Sequence, residues 1–127
     1  MNEEKKLEIT NRVTNILLDI GVPANLKGFH YLRYGVLLAY GNYKASANAT
    51  TKFLYPGIAD EFATTRSRVE RAIRHSIELA FDETKGESAE KYFGRVASAK
   101  SGKVTNAQFI MILADRLLRE DGIRPTV

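Results

Sequence analysis

The chain has 127 residues, 44% of them hydrophobic and 27% charged, with a net charge of +4 and no cysteine. That balance suits one soluble globular domain with its own core. It excludes disulfides, thiolate metal sites and cysteine nucleophiles. No apolar run approaches the roughly 20 residues of a membrane span, and the polar start MNEEKKLE has no signal-peptide character. The expectation is a cytoplasmic chain of residues 1–127, without a cofactor, whose positive charge leans toward a polyanionic partner.

Residues 1–6 are charged and expected to fray. Ile9, Val13, Ile16, Leu17 and Ile20 then recur at i, i+4, i+7, i+8 and i+11, one face of a helix. Gly21 can end it in the left-handed C′ position, and Pro23 bars continuation. A second helix is predicted from a cap at Asn25, with Phe29, Leu32, Val36, Ala39 and Tyr40 inward. Gly28 and Gly35 weaken it intrinsically but allow close helix contact. It should end near Gly41 and Asn42. Residues 42–50 have no clear period and read as a loop or a poor short helix.

The stretch 54–81 predicts a helical hairpin. Ile58, Ala59 and Phe62 give its first helix a buried face, and Ala59 is small enough for a close crossing. Pro56 fits a first helical turn. Ala63-Thr64-Thr65 is the turn, with Ala63 where helix-turn-helix motifs often hold glycine. Thr64 or Thr65 can cap the second helix, and Ser67 with Glu70 offers a capping box one turn later. That helix has two faces: Val69, Ala72, Ile73, Ile77, Ala80 and Phe81 on one side, Ser67, Glu70, Arg71, Arg74 and Glu78 on the other. A buried face opposite arginines, a glutamate and a serine is the layout of a helix that enters a DNA major groove.

Downstream, 82–88 is a polar break with Gly86, and Ser88 to Phe93 can form a short helix anchored by Tyr92 and Phe93. Residues 94–104 are small, basic and glycine-containing, a surface loop. Thr105 with Gln108 forms a capping box for a last helix. Phe109, Ile110, Ile112, Leu113, Leu117 and Leu118 are its apolar face, and Asp121-Gly122 its end. No segment alternates as a strand would. The fold class is all-α, five or six helices around one core of residues 7–121, with a helix-turn-helix.

Catalytic signatures are missing. His30 and His75 have no HxxxH or HExxH partner, and there is no P-loop or nucleophile elbow. The chain is therefore read as no enzyme. The alternative to DNA binding is a helical adaptor that binds protein through its end helices, which a broken recognition helix would favour.

Four segments carry a family resemblance: GVPANLKGFHYLR at 21–33, LYPGIADEF at 54–62, SRVERAIRHSIE at 67–78 and TNAQFI at 105–110. They resemble the C-terminal effector domain of the stage zero sporulation protein A family, response regulators that start endospore formation. The resemblance spans about residues 9–120. It implies a six-helix fold that binds TGTCGAA-like promoter boxes, often as tandem copies on which two copies of the domain can pair. It implies both activation and repression, with activation contacting an RNA polymerase sigma subunit through the segment after the recognition helix. Ser88, Phe93 and Ala97 fall there, although Tyr92 and Phe93 also read as core anchors. The receiver domain that precedes this one in full-length family members is expected to be absent.

Among individual residues, Arg71 leads for base contact, since arginine fits the O6 and N7 of guanine bidentately, and the resemblance agrees. A surface arginine paired with Glu70 or Glu78 is the plainer reading. Glu70 can accept from cytosine N4 or serve Ser67 in the capping box. Arg68 and Arg74 are further base candidates. Ser67, Arg66, Thr65, His75 and Lys27 are candidates for phosphate contacts, which set register. His75 could instead pack half-buried, Lys27 could belong to a helix-start turn, and Lys100 and Lys103 fall in the basic loop.

Overall fold

The computed structural model describes residues 1–81, 86–94 and 104–126, the side chains of 86–88 excepted. Among the described residues the structure is helical throughout, with seven α-helices and one π-helical turn. The first helix, α1 (Glu3–Ile20), starts where the Asn2 side chain accepts from the Lys5 N–H at 2.8 Å. Glu3 and Glu4 complement the positive end of the helix dipole. Gly21 ends α1 at φ 98°, and the Val22 N–H returns to the Leu17 carbonyl.

Helix α2 (Lys27–Gly41) is the spine, packed against α1, α5 (Arg66–Ala80) and α7 (Asn106–Glu120). It starts one residue later than a cap at Asn25 implies. Leu26 occupies the N-cap without a side-chain bond, because residues 23–26 turn before the helix begins. Of the two readings of residues 42–50, loop or short helix, the structure has the short helix. It is α3 (Tyr43–Asn48), and a π-helical turn (Thr50–Leu54) follows, leading into α4 (Tyr55–Glu61). Pro56 lacks the N–H that a continuing α-helix would donate back to Lys52, which accommodates the wider turn before it.

Helix α5 (Arg66–Ala80) completes the hairpin. Helix α6 (Gly86–Phe93) begins within the expected polar break, and α7 (Asn106–Glu120) closes the core. The capping box of α7 forms: Thr105 accepts from the Gln108 N–H, and the Gln108 side chain accepts from the Thr105 N–H. Ile9, Val13, Leu17, Leu32, Val36, Ile73, Ile77, Phe109, Ile110 and Leu113 are wholly buried. These are the stripes that helical spacing selects on four of the predicted faces. Phe62 departs from its stripe and is 38% exposed. It lies one residue past the end of α4, where the chain turns away, and packs edge-on against Tyr31 and Tyr34. The basic loop, including Lys100 and Lys103, lies outside the described residues.

Two polar clusters join the chain ends to the bundle. Asp121, just past α7, accepts from Tyr40 Oη at 2.6 Å and from Arg12 Nη1 at 2.9 Å, with Lys5 Nζ at 3.3 Å. Tyr92 Oη on α6 donates to Asp19 on α1 at 2.7 Å, and Arg116 stacks over its ring. Burial and the Asp19 bond push the Tyr92 phenol up to about 12.

The Tyr40 hydroxyl holds the Asp121 carboxyl below its ordinary 3.8; burial opposes this, and Arg12 and Lys5 reinforce it. A carboxylate whose pKa is depressed by folding stabilises the fold above its unfolded value. It loses that contribution as pH falls through the folded value. Asp121→Asn should therefore lower the thermal midpoint at neutral pH and flatten its fall below about pH 4. Thermal unfolding from pH 7 to pH 2 measures this, and identical acid limbs in the two proteins would contradict it.

Candidate nucleic-acid interface

The hairpin is built from local chemistry. Thr64 N–H returns to the Ala59 carbonyl at 3.0 Å, and Ala63 takes φ 52°, the left-handed conformation that glycine would adopt without strain. Thr65, in extended conformation, caps α5 by accepting from the Arg68 N–H. The Ser67–Glu70 capping box does not form, because the helix begins at Arg66 and Ser67 lies inside its first turn. Glu70 is thereby released from the capping role.

The depth of α5 is set by α2. A Cβ on Gly28 would overlap Ser76 Oγ and the Ala72 carbonyl, so the two backbones meet at a distance only glycine permits. Val69, Ile73, Ile77 and Ala80 are wholly buried beneath the helix. On the opposite side Arg66, Ser67, Arg68, Glu70, Arg71 and His75 are exposed. His75 is therefore on the surface rather than packed. Thr65 and Lys27 are exposed beside this strip, and a shallow groove lined by Lys27, His30, Arg68 and Phe62 links the start of α2 to the turn.

Charge pairing divides the molecule. On the α1–α7 face Arg12, Arg116 and Arg119 are all bridged to carboxylates. Among the described residues no carboxylate pairs with Arg66, Arg68, Arg71 or Lys27. The surface-pair reading of Arg71 is not what is observed. Its Nε makes only a long 3.4 Å contact to the Ser67 carbonyl.

Arg74 behaves differently from the outward residue expected. It is half-buried, and its Nη1 donates to the Val104 carbonyl at 3.0 Å. Beside it, Asn106 Nδ2 donates to the Glu70 carbonyl at 3.1 Å. Asn106 was not legible as part of the site, although Asn106, Phe109, Ile110, Leu113 and Leu117 share one helical stripe. A polar residue on that apolar register was the available signal.

The family follows from the chain as a whole. The family model described as Sporulation initiation factor Spo0A C terminal matches residues 13–117. The chain belongs to that family. Membership makes it a DNA-binding effector domain of sporulation control and a transcription regulator. The match takes in α4, α5, α6 and nearly all of α7. No helix of the described residues is long and apolar enough to cross a membrane, and no group of metal-binding side chains occurs among them.

Downstream of the hairpin, Phe93 is buried and stacked against Phe81 and Phe109, so it is a core anchor and not a surface for the polymerase. Tyr92 is half-buried and bonded to Asp19. Ser88 lies on α6, but its side chain and all of Ala97 are outside the described residues.

The left-handed turn generates a prediction. An L-residue at φ 52° carries a backbone cost of about 1–2 kcal/mol, part of which glycine returns through its more flexible unfolded chain. Ala63→Gly should raise stability by about 0.5–1 kcal/mol in urea unfolding. A lower stability would show that the alanine methyl makes a compensating contact.

Proposed function

We propose that α5 enters the major groove of double-stranded DNA and reads a TGTCGAA-like box. The observation that carries this is the strip of exposed arginines on the helix, unpaired among the described residues, whereas the arginines of α1 and α7 are bridged. Unpaired guanidinium groups keep their donors for an outside acceptor. Arg71 contacts guanine, Glu70 accepts from cytosine, and Arg68 reads a flanking base. A carboxylate facing a polyanion weakens binding overall, so Glu70 contributes by rejecting wrong bases. Arg66, Ser67, Thr65, His75 and Lys27 hold phosphates and fix register. Arg74 supports the helix from within.

The test is fluorescence anisotropy with a box duplex and a scrambled duplex over a salt series. Arg71→Ala should cut the preference for the box about tenfold or more while leaving weak, salt-sensitive binding to both. Full preference in that variant would remove Arg71 from the reading. Two adjacent boxes should bind a pair of copies more tightly than two isolated boxes do, since neighbouring occupancy raises effective concentration. Equal affinities would argue against pairing on DNA.

Activation would proceed through a sigma subunit of RNA polymerase docking on the segment that includes Ser88 and Ala97. Ala97→Glu should abolish activated transcription in vitro and leave box binding intact. Unchanged transcription would exclude that position.

A further inference from the structure

Asn106 stands at a costly position. It is the first residue of α7, in register with Phe109, Ile110 and Leu113, and only 8% exposed. Its Oδ1 is buried without a hydrogen-bond partner among the described residues. A buried amide with one end unsatisfied costs stability, and an apolar side chain there would not. Its Nδ2 donates to the backbone carbonyl of Glu70, in the middle of α5. That carbonyl lies inside a regular helix, so it already has an i+4 donor and has no need of a second. The bond therefore satisfies no stranded group. What it supplies is direction.

Direction is what α5 otherwise lacks on this side. The helix leans mainly on α2, and meets α7 over a short contact. Apolar packing is non-directional and tolerates small rotations of a helix about its axis. Hydrogen bonds weaken steeply with angle and do not. One turn beyond Glu70, Arg74 Nη1 donates to the Val104 carbonyl. Two bonds, from residues 70 and 74, thus reach the start of α7 within three residues of each other. The capping box of Thr105 and Gln108 makes that start rigid. Burial pushes the phenol of Tyr55 on α4 up, and hydrogen bonding with the Asn106 amide opposes this.

We propose that Asn106 is a positioning residue for base reading, fixing the rotation of α5 so that the Glu70 and Arg71 side chains face the groove together. It bonds the Glu70 backbone, so the carboxylate stays free. This inference rests on the DNA-reading function proposed above.

The experiment measures box and scrambled duplex affinities over a salt series for the wild type and Asn106→Ala, at a temperature where both are folded by circular dichroism. The variant should keep the wild-type thermal midpoint or exceed it, since a half-satisfied buried amide has been removed. Its affinity for the box should fall about tenfold. Its affinity for the scrambled duplex and its salt slope should stay unchanged, because asparagine carries no charge to lose. A merely structural residue would lower stability and leave the ratio alone. A folded Asn106→Ala with the wild-type box preference would overturn the proposal, as would an equal loss on both duplexes. Should Asn106→Ala fail to fold, Asn106→Ser is measured and judged by the same criteria. A wild type that shows no box preference would sink the reading function itself, whereas a preference that survives substitution sinks only the positioning role.

Discussion

The approach of α2 to α5 at Gly28 is the constraint on which the rest of the molecule depends. A helix cannot bring another backbone this close through any side chain, and here the Ala72 carbonyl sits where a Cβ would be. That contact sinks Val69, Ile73 and Ile77 fully into the core, and so raises the opposite face of α5 clear of the surface. Helix α2 meets α1 and α7 on its other sides, so the presentation of α5 is carried by the whole bundle. Gly35 serves the same spine, with Ile58 and Ile110 closing tightly over it.

Charge is distributed to match. Basic side chains around α1 and α7 are consumed internally, Arg12 by Glu8, Glu120 and Asp121, and Arg119 by Asp115. Those around the hairpin turn have no carboxylate partner among the described residues. A net charge of +4 is small, and spread evenly it would say little about a partner. Neutralising it on one face concentrates it on the other. This division, together with a helix whose first turn points Arg66, Ser67 and Arg68 into solvent, gives the family assignment a physical basis in this chain.

The hairpin combines strain with redundancy. Ala63 holds a left-handed backbone that its methyl group opposes, yet the turn closes through the Thr64 to Ala59 bond and the Thr65 cap. Around it, Phe62 is clasped by two tyrosines of α2. From the far side, Asn106 and Arg74 tie α5 to α7 by its backbone and one long side chain. Apolar packing sets how deep the helix lies, and directional polar contacts set which way it faces.

Much of this was legible in the sequence. The stripes Ile9–Ile20, Phe29–Tyr40, Val69–Ala80 and Phe109–Leu118, the Gly21 stop and the Thr105 capping box rest on spacing and cap chemistry within a few residues. Local forces decide such features, and they survive translation into three dimensions. The outward strip of α5 was legible for the same reason. The uncapped start of α2 at Leu26, the π-helical turn at 50–54 and the exposure of Phe62 were not. Each depends on what a distant segment places beside it. The same holds for the candidate site. The positions of Arg71 and Glu70 on a solvent face follow from helical periodicity alone. That Arg74 turns inward to Val104, and that Asn106 reaches the Glu70 carbonyl, depends on α7 arriving against α5 thirty or more residues later in the chain. Sequence by itself determined which face of each helix is apolar, because period and side-chain chemistry are local. Only the tertiary structure decided which polar groups those faces bring together, because a hydrogen bond across elements has no signature in either segment alone.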